Sequence, residues 1–344
     1  MVSRNTRLAG TQPSCETLGI NLGRDPHPAF LVNEQVCKEF FYGTYGGVIK
    51  AGELVSQPGV APGSFMDFEH ASRASRACGS GWHLSTNAER AALMLWCQQQ
   101  GFIAQGNTDS GRSILVLGEH GVRADHGNPG DPQGDPATLT GSGPTSWRHD
   151  HTICGIADLC GNPWEWQAGL RLVDGEIQII PDNNAVHADL SLTSAAWVAL
   201  SLFDGTALAP GHSASARFDA RRDCIDGNAG APILSTQIRH RNGPRADNAN
   251  RPGLMDALFS QIAPDTDVDA LPLLKALGLV PSFPTTSGTQ VYLRNYCERI
   301  FKAGGAWYSG HDAGLEALCL SHPRTHFSST VGARPAFIVS QRGT

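Results

Sequence analysis

The sequence predicts a loop-rich α+β fold in which two short helices pack on small antiparallel sheets. Three observations carry this. Thr86-Asn87-Ala88-Glu89 is a capping box followed by an apolar stripe, which opens a helix. Leu170–Val173, Asp174-Gly175 and 176–180 form a hairpin pattern, because Asp-Gly supplies the two positive-φ residues of a type I′ turn. Gly (39) and Pro (21) make up 60 of 344 residues, about 17% against a usual ~12%, too many for a helix bundle.

The elements follow in order. Residues 1–28 read as an irregular lead-in rich in Gly, Pro and polar residues. Residues 36–48 (VCKEFFYGTYGGV) are aromatic and β-branched and read as early strands or a hairpin with a glycine turn. Asp67 caps a first helix in which Phe68, Ala71, Ala74/Ser75 and Cys78 share one face, and Gly79 ends it. The second helix carries Ala92, Leu93, Trp96 and Cys97 on its stripe and stops at Gly101. Residues 106–145 are loop-like, and a stretch of that length in a compact domain needs a function or internal support. Trp164 and Trp166 alternate with Glu165 and so share one strand face. Residues 181–290 read as an insertion, with 254–279 as short helices broken near Pro264 and Pro272. Arg334, before Pro335, pins the final strand through an ion pair whose partner the sequence does not name.

Composition removes several function classes. The formal net charge is −6, whereas a protein that binds nucleic acid through phosphate contacts is usually basic, so no nucleic-acid partner is expected. No apolar run reaches the ~18–20 residues of a membrane span. No secretory signal opens the sequence, so cytoplasmic synthesis is expected. The nine cysteines are odd in number and contain no CxxC, which reads as reduced thiols, mostly buried. Lysine occurs only at Lys38, Lys50, Lys275 and Lys302, so 22 of the 26 basic residues are arginine. That excess does not gather in 308–330, where Arg324 stands alone, and a GC-rich genome accounts for it.

Six blocks then stand in a fixed order: GWHLSTNAERAALMLW (81–96), GSGPTSWRHD (141–150), GIADLCGNPWEW (155–166), GLRLVDGEIQII (169–180), GGAW (304–307) and VGARPAF (331–337). Together they bracket most of 36–337 and resemble the formylglycine-generating-enzyme (sulfatase-modifying-factor) branch of the C-type lectin fold. The hairpin directly after the WEW strand is most similar to the variable proteins of diversity-generating retroelements. The resemblance implies a C-type lectin-like domain over 29–344, enlarged by the insertion at about 181–290. It also implies a variable ligand-binding region at about 306–334, between GGxW and VGxRPAF, rewritten by an error-prone reverse transcriptase. Display on a phage tail or a cell surface goes with it, and the partner is a protein or glycan on a host or target surface. Trp164, Trp166, Gly304, Gly305, Trp307, Gly332 and Arg334 are then framework.

The alternative within the same branch is an oxidase, which carries two copper-binding cysteines a few residues after the GG-S-aromatic stretch. Here Tyr308–Gly314 contains no cysteine, and Cys319 lies alone between Leu318 and Leu320, a core context. The scaffold without the oxidase chemistry, and no enzyme activity, is therefore expected. The recognition residues are Tyr308, Ser309, His311, Asp312, Ser321, His322, Arg324, Thr325, His326, Phe327, Ser328 and Ser329, a mixture of aromatic and small polar groups like that of antibody loops. Leu315, Ala317, Leu318, Cys319 and Leu320 read as framework.

Other constellations are weaker. His322 and His326 stand four apart near His311 and Asp312, but Pro323 argues against the helix that would converge them on a metal. His149 and His151 would share a strand face with no third ligand. Asn107, Asp109, Asp125, Asn128 and Asp131 offer hard oxygens for a structural calcium, without EF-hand spacing. No other cofactor is expected.

Overall fold

The computed structural model describes residues 26–241, 253–264, 272–283 and 288–339, together with 5–7; residues 5–7 and 263–264 are described as backbone only. Most of the lead-in, Cys15 and the stretches 242–252, 265–271 and 284–287 lie outside the described residues.

The fold is α+β. In chain order the elements that frame the site are β1 (Asn5–Arg7), β2 (Phe40–Gly43), β3 (Gly47–Lys50), β4 (Glu53–Ser56), α1 (Phe68–Ala77), β5 (Trp82–Leu84), α2 (Asn87–Gln100), β6 (Trp164–Val173), β7 (Glu176–Ile179), β8 (Arg217–Ala220), β9 (Pro232–Ser235), β10 (Leu254–Leu258), α3 (Pro272–Ala276), β11 (Gln290–Leu293), β12 (Glu298–Gly304), β13 (Gly314–His322), β14 (Val331–Ala333) and β15 (Pro335–Ile338). A small sheet has the order β1-β2-β15-β5. A large sheet contains β10-β11-β13-β12-β6-β7-β8-β9 in that order, with β14 parallel to β6.

Local chemistry explains the two predicted helices. Asp67 accepts the His70 N–H at 2.8 Å and starts α1, whose buried face is Phe68, Ala71, Ser72, Ala74 and Ser75. At α2 the Glu89 N–H donates to Thr86 Oγ1, and the Thr86 N–H donates to Glu89 at 3.0 Å. Gly101 closes α2 in the left-handed region, φ 74°. The helix differs from an amphipathic stripe, however. It is buried on all sides from Asn87 to Leu95, and Trp96 is only half-buried. It lies inside the protein, and Glu89 is held there by His83 and Asn183.

The hairpin β6–β7 turns through Asp174 (φ 49°) and Gly175 (φ 82°), as the type I′ pattern requires. Apolar side chains leave the large sheet in two directions. Leu170, Phe301, Ala303, Leu318 and Leu320 pack with α2 and α3. Trp164, Trp166, Ile300, Ala317 and Cys319 pack with α1. This is the period-2 addressing of a sheet covered on both faces.

Several expectations need correction. The lead-in is not wholly irregular, since Asn5–Arg7 pairs with β2. Of the two readings of 36–48, early strands holds and the hairpin does not: β2 belongs to the small sheet, and β3 pairs with β4 through Ala51-Gly52. Residues 254–258 are strand rather than helix, alternately half-buried and buried against β11. Pro272 begins α3 instead of breaking a helix, because its missing N–H costs nothing at a first position. The stretch read as an insertion contributes β8, β9 and β10 to the large sheet, at both its sides. His149 and His151 are not on a strand; His149 is buried and accepts the Ile156 N–H at 2.8 Å, while His151 is exposed at a turn. Among the described residues eight cysteines are free, of which only Cys37, Cys97, Cys160 and Cys319 are buried.

Candidate functional site

The segment after β12 is held by its backbone. Gly304 (φ 101°) and Gly305 (φ 91°) make the exit turn, and a Cβ on Gly305 would stand 2.5 Å from that of Ala313. The Trp307 N–H donates to Asn162 O at 2.8 Å, and Trp307 O accepts from Ser110 N–H at 2.7 Å. The Gly310 N–H donates to Thr108 O at 2.8 Å. Trp307 is buried beneath, while Tyr308 stands 63% exposed and His311 is exposed. Two neighbours are engaged instead. Ser309 Oγ accepts the Ala306 N–H at 2.9 Å, and Asp312 accepts the Tyr292 hydroxyl at 2.7 Å. Burial, and then that bond to Asp312, push the Tyr292 phenol well above its usual range.

The second arm lies beyond β13. Ser321 is 3% exposed, so it does not belong to an open surface. Arg324 is a tie: Nε and Nη2 donate to Glu298 at 2.6 and 2.7 Å, and Nη1 donates to Glu69 and to Leu190 O. Its carbonyl accepts the Phe68 N–H at the start of α1. Ser328 O accepts the Phe65 N–H at 2.9 Å. Thr325 and Phe327 are exposed, Phe327 by 62%, and Ser329 is half-buried. His322 and His326 are half-buried with ring centroids 4.0 Å apart, brought together by a turn in which the His326 N–H donates to Pro323 O. Burial, and then the Lys302 ammonium, lower both imidazoles to about 3.

Thus the sequence pattern mixed two kinds of residue. Tyr308, His311, Thr325 and Phe327 stand free, whereas Ser309, Asp312, Ser321, Arg324 and Ser328 hold the arms in place. Ser309, Ser321 and Ser328 bond within their own segment, to the Ala306 N–H, to Cys319 and His322, and to Thr330, whereas Asp312 and Arg324 are held by Tyr292, Glu298 and Glu69, which their own segment does not reveal.

The two arms are nearer than the nine residues of β13 suggest. An unbroken strand of that length spans about 26 Å. Opposite it, β12 pairs Ile300 with His322 and Gly304 with Gly314, four residue steps or roughly 13 Å. The surplus residues of β13 bulge opposite Ile300–Lys302 and, for the most part, opposite Ala303–Gly304. A ridge joins the arms: Tyr292, bonded to Asp312, meets Trp164 edge-on at 6.3 Å, and the Trp164 N–H donates to Thr330 O at 2.8 Å. Beside the first arm lies a cleft of about 580 Å³, lined by Phe102, Ile103, Leu115, Phe283, His311 and Leu315. Ile103 and Leu115 are 69% and 57% exposed there. The sequence singled out neither Tyr292 nor this cleft; the apolar residues in the Gly-rich loop were the available signal.

The framework residues are deeply built in. Arg334 is 0% exposed and donates to Glu165 through Nε at 3.0 Å and Nη2 at 2.7 Å, with further bonds to Gly43 O and Ala157 O. Glu165 is therefore the missing partner. Trp166 donates Nε1–H to Met66 O at 3.0 Å, and a Cβ on Gly332 would meet Gly63 O at 2.4 Å.

The oxygens offered for calcium are turned on an internal cation. Arg123, 2% exposed, binds both Asp125 oxygens and donates to Asn128 O, Asp131 O and Gln133 O. Asp109 is paired with Arg112, and the Asn107 carboxamide bonds Pro136 O, Asn162 and Gly111. Among the described residues no three His, Cys, Asp or Glu side chains converge as a metal site, and no helix is long and apolar enough to cross a membrane. No protein-family model and no curated protein matches the chain.

Proposed function

We propose that this chain is a non-enzymatic ligand-binding protein with the C-type lectin scaffold of the formylglycine-generating-enzyme branch. On this reading it is the variable protein of a diversity-generating retroelement, displayed on a phage tail or a surface. Its ligand is a protein or glycan on a host or target surface. One observation carries the proposal: Tyr308, His311, Thr325 and Phe327 stand exposed on two short arms whose backbones are fixed by buried groups. A rigid frame with free aromatic and small polar tips suits recognition, because it binds with little loss of conformational freedom. The cleft beside His311 supplies apolar depth next to those tips.

Sequences of this protein from several isolates test the reading. Substitutions should gather within 308–330, foremost at Tyr308, His311, Thr325 and Phe327, and spare Trp307, Arg324 and Arg334. An even scatter along the chain would overturn it. Replacing the four exposed residues by serine should also abolish adhesion to target-cell extracts while leaving thermal unfolding unchanged.

A further inference from the structure

Lys302 is 2% exposed, yet it projects from β12 onto the apolar α1 face of the large sheet, beside Ile300 and its register partner Cys319. Its ammonium lies 5.2 Å from the centroid of Trp166 and donates to His322 Nδ1 at 3.2 Å. Burying a charge in such surroundings is costly unless an opposite charge answers it. None does among the described residues. Glu298 and Asp312 are engaged elsewhere, Glu298 by Arg324 and Arg171 and Asp312 by Tyr292.

More positive charge surrounds the same corner. Arg294 donates Nη1–H to Ser321 O at 2.7 Å, but its Nε has no partner among the described residues. Arg299, 6% exposed, likewise has an orphaned buried Nε. Ser321 Oγ lies 2.9 Å from His322 Nδ1, and the His326 ring covers that of His322. Lys302 from β12 and Arg294 from just beyond β11 thus back onto two half-buried imidazoles.

We propose that this corner binds a compact oxyanion, the sulfate, phosphate or carboxylate group of an acidic ligand, with Lys302 and Arg294 supplying charge and the half-buried His322 and His326 supplying directed hydrogen bonds. The inference rests on the recognition-face reading, whose second arm it specifies. Charge-assisted bonds to an oxyanion are the strong ones, and a buried cation already stripped of water provides them without further desolvation. Burial first, and then the Lys302 and Arg294 charges, hold both imidazoles neutral in the free protein. A bound anion reverses that field, so binding takes up protons and tightens as pH falls.

Calorimetric titration of the full chain with sodium sulfate and, separately, sodium phosphate tests this against sodium chloride of equal ionic strength. The expected result is saturable binding of at least one ion, tighter at pH 5.5 than at pH 7.5, with both imidazole signals shifting in NMR spectra. Lys302→Met should weaken binding about tenfold or more. Should that variant misfold, His326→Gln on the outer turn should weaken binding and flatten its pH dependence. A non-saturable response, or saturable binding indifferent to both variants, overturns the proposal. Sulfated and carboxylated oligosaccharides as separate titrants then distinguish the source of the anion. Failure of the recognition face registers elsewhere, as an even scatter of substitutions among isolates, and leaves the inorganic-ion titrations unaffected.

Discussion

Arg334 spans Glu165 and two backbone carbonyls from wholly within the protein, so its loss strands a buried carboxylate. Arg334→Ala is expected to cost about 3–5 kcal/mol in urea denaturation, and Arg334→Lys to recover only part of it, because one ammonium cannot reproduce the planar fork. Arg90, Arg123, Arg148, Arg171, Arg299 and Arg334 are all buried, so part of the arginine excess serves the interior, which a residue count could not show. A histidine sets the acid limit of stability. His27 is buried, accepts the Ala29 N–H on Nδ1 and donates Nε2–H to Ala276 O at 2.9 Å. Burial lowers its pKa to about 4. The unfolded chain, with an ordinary histidine near 6.5, therefore binds more protons between those values, and stability rises with pH across that window. The His27 share of the acid loss should be about 3 kcal/mol as pH falls from 7 to 4, read as the difference between the parent and His27→Gln denaturation curves, with His322 and His326 adding losses of the same sign in both.

Elements that close on themselves were legible, and those completed from afar were not. The α2 capping box and the Asp174-Gly175 turn involve neighbours in sequence, and both formed as read. Leu254–Leu258 was misread because LMDAL suits either period, and its deciding partner, Gln290–Leu293, lies far along the chain. The two arms after β12 and β13 divide the same way, since which of their side chains point outward depends on Tyr292, Glu298 and Glu69. Lys302 was missed because it sits in a short strand run between Phe301 and Ala303, with nothing nearby to mark it. Two measurements check this division. Tyr308→Ser and Phe327→Ser should change stability by less than about 0.5 kcal/mol, whereas Arg324→Ser should lose about 2–3 kcal/mol. The long loop has its own hub, so Arg123→Ala should make residues 125–135 readily cut by protease while the sheet remains folded.

At the scale of the molecule, the large sheet draws strands from the whole region between Trp164 and Ala333, including seven of its thirteen from the stretch read as an insertion. Sequence patterns gave its class because period and turn chemistry are local. They could not give its order, since β13 joins β11 and β12 in opposite senses. The small sheet is assembled from more distant pieces still. Its inner strand β15, at Pro335–Ile338, lies between β2 and β5, with Ala336 opposite both Tyr42 and His83. Pulsed hydrogen exchange during refolding should show β2 and β5 amides gaining protection together with β15, not before it. On the ribosome the separation becomes time. Roughly 290 residues part β2 from β15, so at about 5–20 residues per second each new chain waits some 15–60 s with those two edges unpaired. During that interval the aromatic strand Phe40–Gly43 is open to pairing with another nascent chain, and synthesis rate and chaperone supply become determinants of yield.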